Sequence, residues 1–402
     1  MERYELVIVG GGMAGLTLTA LLQPALDRGL TTALIDPAPQ PSSGAPGSPS
    51  FDDRATALSG QTLDVLQRLG LSELNSVVSD ILEIEVSDHG HLGYHHMRAA
   101  EQQFDRYGAV IANRSLGSLL WQHTQALPVD WRFGQSVSKA RPINDGIELT
   151  LADGHQIHAG LLVLCDGGRS SLTEQLGLQA QTVDFNAVAR IATVETTLPH
   201  QGKAFERFTQ QGPIALLPFG DFSALVWTAP KATQSTWPST PEDAIPLLEA
   251  QFGQRLGRVR RIGDWQQYPL IERTLSQPVG HHFIALGNTA ATLHPVAGQG
   301  FNLALRGVQR FADLINRTHD EGAGQLPSFQ ELTTLAETIQ GDQDLTAGFS
   351  RQLISLFGSA NPLLQIGRGL GLNSLDRHPS LSRLFALNSM GLLAAAPVSQ
   401  GS

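Results

Sequence analysis

Cysteine and positive charge are both scarce in this chain. Cys165 is the only cysteine among 402 residues, which excludes an intramolecular disulfide and any metal site built from several cysteines. Lysine and arginine number 27 against 37 aspartates and glutamates, so the net charge is −10. Because nucleic acids and anionic lipid surfaces attract basic faces, we expect no nucleic-acid partner and no broad electrostatic adhesion to membranes.

Long apolar runs are lacking as well, and we expect no leader segment. No stretch approaches the roughly 20 apolar residues that a helix needs to cross a bilayer. The first strand pattern, Tyr4 to Val9, begins almost at the N-terminus, so we expect neither export nor import into an organelle. The expected location is the cytoplasm, with peripheral contact to the inner membrane as the alternative. No metal ion is expected, since the clustered histidines surround a glycine in a stretch typical of a surface loop: His89, His91, His95 and His96.

A glycine-rich turn follows the first apolar strand. Gly10, Gly12 and Gly15 occupy the three positions of the G-x-G-x-x-G pattern, and a helical spacing of leucines begins directly after them. In this pattern the glycines permit a tight turn, a close approach of pyrophosphate, and close packing of helix and strand. Asp36 ends the second apolar strand, about 20 residues further on, where a carboxylate binds the ribose hydroxyls. The segment predicts a dinucleotide site of the Rossmann type.

Two later segments repeat the pattern of a buried strand that ends in glycine. Asp166 and Gly167 follow the apolar run 161–165, and Gly287 and Asn288 follow the run 283–286. An Asp-Gly turn is also common in hairpins, so this motif alone is ambiguous. The second segment continues through the stretch 295–302 into a helical spacing of apolar residues.

These three motifs, in this order, resemble those of the class A flavoprotein monooxygenases. Residues 51–59 and 202–218 are similar to segments that mark the ubiquinone-biosynthesis hydroxylases within that class. The resemblance implies an α/β protein with a Rossmann-like FAD-binding domain (the 4-hydroxybenzoate hydroxylase fold), a β-sheet substrate domain and a helical C-terminal tail. It also implies FAD as the cofactor and NAD(P)H as the co-substrate.

The activity implied by the resemblance is hydroxylation of a polyprenylated methoxyphenol with NAD(P)H and O₂ in ubiquinone biosynthesis. The partners are then the polyprenyl phenol and O₂, with a peripheral membrane contact or a multi-enzyme complex of the pathway as a further expectation. The residues leave open a hydroxylase of another aromatic substrate, a lipid reductase that shares the fold, and a flavin-binding lipid scaffold without hydroxylase activity. No second G-x-G-x-x-G turn is present, so the choice between NADH and NADPH also stays open.

The expected FAD-binding domain is discontinuous, as in the family that the chain resembles. It comprises residues 1–75, 100–182 and 275–330. Residues 76–99 and 183–274 form the expected substrate domain, and residues 331–402 form a C-terminal helical region.

The expected site residues follow from the three turns and the resemblance. A helix that begins near residue 299 would direct its N–H groups at the pyrimidine edge of the flavin. The residues expected to take part in catalysis there are Pro295, Gly298, Gln299 and Gly300. The residues expected to bind the cofactor are Gly10, Gly12, Gly15, Asp36, Arg54, Arg114, Asp166, Gly167, Gly287, Asn288, Gly298, Gly300, Phe301 and Asn302. Asn288 stands where most relatives have aspartate, and no histidine, cysteine or carboxylate stands out as a base for the phenol.

Overall fold

The computed structural model describes residues 1–41, 54–90, 94–292, 299–321 and 324–358. Its strands are β1 (Glu2–Val9), β2 (Thr32–Asp36), β3 (Ala55–Ser59), β4 (Val78–Ile81), β5 (Glu83–Asp88), β6 (Tyr94–Arg98), β7 (Gly108–Ala112), β8 (Val129–Phe133), β9 (Val137–Ile143), β10 (Gly146–Leu151), β11 (Gln156–Leu164), β12 (Ala180–Thr196), β13 (Lys203–Thr209), β14 (Gly212–Phe219), β15 (Phe222–Pro230), β16 (Val259–Ile262), β17 (Gln266–Leu275), β18 (Val279–Gly280), β19 (Phe283–Ala285) and β20 (Ala291–Thr292). Its helices are α1 (Met13–Leu21), α2 (Gln23–Asp27), α3 (Gly60–Arg68), α4 (Leu74–Val77), α5 (Asn113–Thr124), α6 (Leu172–Gln175), α7 (Pro241–Phe252), α8 (Gln299–Glu321) and α9 (Phe329–Gly358).

A largely parallel sheet carries the three glycine turns. Its order is β18-β19-β11-β1-β2-β8, and the strands from β19 to β8 run parallel. The apolar runs of β1 and β11 are buried on both faces, as is typical of parallel strands covered by other elements on either side. Since the strands run in one direction, the turns that follow β1, β11 and β19 meet at the carboxyl edge of the sheet, where α/β proteins bind ligands.

A second sheet of nine strands is mostly antiparallel. Its order is β20-β17-β12-β15-β14-β13-β5-β6, with β16 paired to β12. Helix α7 covers one face, where Phe205, Leu216 and Trp227 pack with Leu248 of the helix. We call the opposite face the inner face. It packs near β6 and β13 on a small sheet of order β3-β7-β4.

The long helices α8 and α9 complete the cover of the parallel sheet. Both contribute apolar side chains to the cluster that includes β1 and α1. Arg306 of α8 forms a buried ion pair with Asp342 of α9 at 2.8 Å, and Arg310 reaches the same carboxylate at 2.9 Å. None of the helices in the described ranges combines the length and the apolar character that crossing a bilayer requires.

One local prediction is wrong, and another extends beyond the described residues. His95 and His96 do not lie in a surface loop: they belong to β6, and His95 is only 1% exposed. The alternation of β6 turns His95 inward beside Met97, which local composition does not reveal. The predicted C-terminal helical region is described only as far as residue 358. The predicted domain boundaries stay a prediction.

Candidate flavin site and active site

The turn after β1 is built so tightly that two of its positions admit only glycine. A Cβ on Gly10, whose φ is +113°, would lie 2.5 Å from the carbonyl group of Cys165, which directly follows the neighbouring strand β11. A Cβ on Gly15 would lie 1.9 Å from the carbonyl oxygen of Gly10, so α1 rests directly on the turn. Gly12 precedes α1, and no side chain among the described residues caps this helix. The first N–H groups of α1 are therefore available to the oxygens of a phosphate.

Asp36 lies beside this turn at the end of β2. Its carboxylate accepts hydrogen bonds from the backbone N–H of Gly11 at 2.6 Å and of Ala38 at 2.7 Å. These two bonds hold the carboxylate against the glycine turn. A ribose attached to a pyrophosphate in the turn would lie within the reach of this side chain.

The second and third turns are joined by a side chain that the sequence did not reveal. Thr289, fully buried, donates its hydroxyl to Oδ1 of Asp166 at 3.0 Å and accepts a bond from the N–H of Gly167 at 2.8 Å. The Asp166 carboxylate also accepts bonds from the N–H groups of Gly168 and Ser170, both at 3.0 Å. Asp166 thus shapes its own turn and holds the Gly287 turn beside it. The only local signal for Thr289 is its position two residues after Gly287.

The Gly287 turn also packs on the first helix. Gly287 has a φ of +60°, and a Cβ there would lie 3.2 Å from the side chain of Ala14 in α1. The next residue, Asn288, is exposed at the carboxyl edge, and its carbonyl accepts a bond from the Thr292 hydroxyl at 3.0 Å. The three turns are therefore brought to one place, although the direct contacts of Asp166, Gly287 and Asn288 with FAD stay predictions.

Helix α8 begins at this edge and is fastened to the small sheet. Asn302, 3% exposed, accepts a bond from the N–H of Ser59 at 2.8 Å and donates one to the carbonyl of Ala57 at 2.9 Å. Its amide group therefore positions α8 on β3. Phe301 packs on the apolar cluster beneath, whereas no heavy atom of the described residues lies within 4 Å of a Cβ built on Gly300.

The remaining predicted site residues divide into two groups. Arg54 immediately precedes β3 with its guanidinium 5.3 Å from the ring centre of Tyr268 on β17, so it connects the small sheet to the nine-stranded sheet. The carbonyl of Arg54 accepts a hydrogen bond from the backbone N–H of Asn113 at 2.8 Å. Arg114, the next residue in α5, is exposed. Gln299 is the first residue of α8. Two predicted catalytic residues lie outside the described residues: Pro295 and Gly298.

The observed cradle fits FAD. Gly10 and Gly15 allow the tight turn that brings the start of α1 directly after β1, and the N-terminus of α1 offers N–H groups to the pyrophosphate of a dinucleotide. When bound, FAD carries electrons from a reduced nicotinamide to O₂.

Comparison with known proteins agrees with this geometry. A family model described as an FAD binding domain matches residues 3–324. Ubiquinone hydroxylase UbiL of Rhodospirillum rubrum is 31% identical, over 98% of this chain and 91% of its own. The 3-demethoxyubiquinol 3-hydroxylase of Escherichia coli is 28% identical, over 96% of this chain and 98% of its own. The crystal structure of p-nitrophenol 4-monooxygenase PnpA from Pseudomonas putida superposes with a TM-score of 0.78 at 17% identity, and covers 99% of this chain and 100% of its own.

The fold and the three turns thus define an FAD-dependent monooxygenase. The chain belongs to the FAD-binding domain family of flavin monooxygenases and, within it, stands with the ubiquinone-biosynthesis hydroxylases. The predictions of an α/β fold, of FAD as the cofactor and of monooxygenase activity are confirmed.

Proposed function

We propose that this enzyme hydroxylates a polyprenylated methoxyphenol in ubiquinone biosynthesis, with NAD(P)H as the electron donor and O₂ as the oxidant. The observation that carries the proposal is the similarity to a ubiquinone hydroxylase, which extends over both the flavin turns and the nine-stranded sheet, here called the substrate sheet. The overall reaction consumes the phenol, O₂, NAD(P)H and a proton, and it yields the hydroxylated phenol, NAD(P)⁺ and water.

The inner face of the substrate sheet supports an apolar substrate. Its central strands present Ala215 and Leu217 of β14, Val226 of β15 and Ile191 of β12, which share this face by their register. Apolar side chains of this kind accommodate a prenyl chain and keep water from the reacting atoms.

Each part of the described site has a proposed task in this reaction. The Gly10–Gly15 turn and the start of α1 bind the pyrophosphate of FAD, and Asp36 binds the adenosine ribose. Asp166 and Thr289 hold the second and third turns together beneath the cofactor. The start of α8, which Asn302 fixes to β3, directs N–H groups at the flavin ring and stabilises negative charge there.

The prenyl tail sets the expected surroundings of the enzyme. A polyprenylated phenol partitions into the bilayer, so the enzyme takes its substrate at the cytoplasmic surface of the inner membrane or from a multi-enzyme complex. The binding mode is peripheral, through apolar contact more than through charge, because the chain is acidic overall.

Deletion of the gene in a ubiquinone-producing bacterium tests the proposal. The deletion strain should accumulate a prenylated phenol that lacks one hydroxyl group, and the purified yellow enzyme should convert that phenol with NAD(P)H and O₂. Unchanged quinone levels would refute the proposal. The arginine beside a tyrosine at Arg54 and Tyr268 makes a small aromatic acid the competing substrate, so 4-hydroxybenzoate is assayed in parallel. Its faster hydroxylation would favour that alternative.

A further inference from the structure

Strand β13 of the substrate sheet places a single carboxylate on the inner face. Along this strand Phe205 points to the cluster under α7, whereas Ala204 packs with Ile81 and Val110 of the small sheet. Since side chains alternate along a strand, Glu206 shares the side of Ala204. Its neighbours across the sheet are Ala215 on β14 and Val86 on β5.

The inner face also approaches the small sheet near the other end of the nine-stranded sheet, at β17. The register leads from Glu206 through Ala215, Val226 and Ile191 to Gln266 of β17. Tyr268 lies two residues beyond Gln266 on the same face, and its ring contacts Arg54 at the start of β3. The inner face therefore faces the small sheet at Ala204 and, through the contact of Tyr268 with Arg54, at β17. Glu206 lies on this face, two residues beyond Ala204 on β13.

The surroundings of Glu206 are unusual for a carboxylate. The side chain keeps some accessible surface, yet the protein around it raises the pKa of Glu206 to about 7 by burial alone. A carboxyl group that is largely surrounded by protein, among the apolar side chains of this face, is harder to ionise than one in water. A carboxylate with a pKa near the working pH is suited to accept a proton.

The titratable groups near Glu206 are few in the described part of the chain. On β14 the strand sequence contains none, and on β5 and β6 the inner face carries Asp88 and His95. Helix α9 also approaches β13. The charged side chains described on α9 are exposed, except for Asp342, which is paired with two arginines of α8.

We propose that Glu206 is the catalytic base that accepts the proton of the substrate's phenol hydroxyl. The inference rests on the proposed function and identifies the base that the sequence alone did not reveal. In this step the phenol O–H bond breaks, the proton moves to a carboxylate oxygen of Glu206, and the electron pair stays on the phenol oxygen. No electron is gained or lost in the step. The resulting phenolate releases electron density into the ring, which makes the ring carbons more nucleophilic toward the oxygen atom that comes from O₂.

The test compares the pH dependence of product formation in wild-type enzyme and in Glu206→Gln. A methoxyphenol with a short prenyl chain, dissolved in detergent, serves as the substrate, and the hydroxylated product is measured per NAD(P)H consumed. In the wild type, product formation should rise with pH through an ionisation near 7. Product formation by Glu206→Gln should be about 10²–10⁴-fold lower, and its pH profile should no longer show this ionisation. It should recover only toward about pH 10, where the phenol ionises without help.

Two further variants separate a catalytic role from a structural one. Glu206→Asp keeps the carboxylate and should retain the ionisation with part of the activity. Glu85→Gln removes a buried carboxylate from the adjacent strand, but on the face under α7, where Glu85 is paired with Arg255. It should keep the wild-type pH profile. FAD content and flavin reduction without substrate should be the same in the wild type and in Glu206→Gln.

The outcomes distinguish the inference from the proposed function. If the wild type hydroxylates the prenylated phenol and Glu206→Gln keeps both its yield and its pH profile, the inference is wrong and the proposed function stands. If Glu206→Asp shows no ionisation near 7 although it retains FAD, the inference is also wrong. If the wild type oxidises NAD(P)H but hydroxylates no phenol, the proposed function fails and the inference fails with it.

Discussion

An alanine methyl group at position 15 would stand 1.9 Å from the carbonyl oxygen of Gly10 and 3.1 Å from its carbonyl carbon. The first distance must grow to about 3.4 Å before the contact is an ordinary one. Both atoms belong to the backbone, so no side chain can rotate away to relieve the clash. Helix α1 must instead move off β1, and it carries Leu16 and Leu18 out of two separate apolar clusters. Overpacking of this kind should lower the free energy of unfolding of Gly15→Ala by about 3 kcal/mol.

The same movement should displace the N–H groups at the start of α1 from the pyrophosphate of FAD. Urea unfolding of the apoprotein measures the loss of stability, and the flavin absorbance of the purified protein measures FAD retention. Gly341→Ala in α9 is the matched control, since no heavy atom of the described residues lies within 4 Å of a Cβ there. It should gain about 0.5–1 kcal/mol from helix propensity and retain FAD. A Gly15→Ala protein with wild-type stability and a full complement of FAD would refute the reasoning.

Three further predictions follow from single interactions. Thr289→Val removes the hydrogen bonds to the Asp166 turn, so the free energy of unfolding should fall by about 1–3 kcal/mol and FAD should dissociate faster. An unchanged rate of FAD dissociation would contradict the role of these bonds. Asp342→Asn leaves Arg306 buried without its carboxylate partner, so the free energy of unfolding measured in urea should fall by about 3–5 kcal/mol. Equal unfolding midpoints for the variant and the wild type would show that the ion pair is not needed. Burial raises the pKa of Glu206 from 4.5 to about 7, so its contribution to stability is present below about pH 4.5 and is lost as the pH rises through 7. Above pH 7 the free energy of unfolding of Glu206→Gln should therefore exceed that of the wild type by at most about 3 kcal/mol. If the free energies of unfolding of the two proteins depend on pH in the same way, the raised pKa is refuted.

Asn302 of helix α8, which the sequence predicts to bind the cofactor, has a structural task that the sequence did not reveal. Its side-chain amide oxygen and nitrogen are hydrogen-bonded to the backbone of β3, and the contact of Asn302 with the cofactor stays a prediction. The start of α8 is thus positioned by the small sheet. A substitution at this residue should affect flavin binding through the placement of α8.

The amino-acid sequence by itself determined the parallel strands, the glycine turns and the class of cofactor. These features are local: an apolar run predicts a buried strand, and the spacing of Gly10, Gly12 and Gly15 is set by the shape of one turn. The tertiary structure decided which side chains meet. Thr289 bonds to Asp166 across more than a hundred residues, and Glu206 comes to lie between Ala215 and Val86 only because of the register of β13 with its two neighbouring strands. Contacts of this kind depend on strand order and on the face that each strand turns inward, and neither is encoded in the spacing of neighbouring residues.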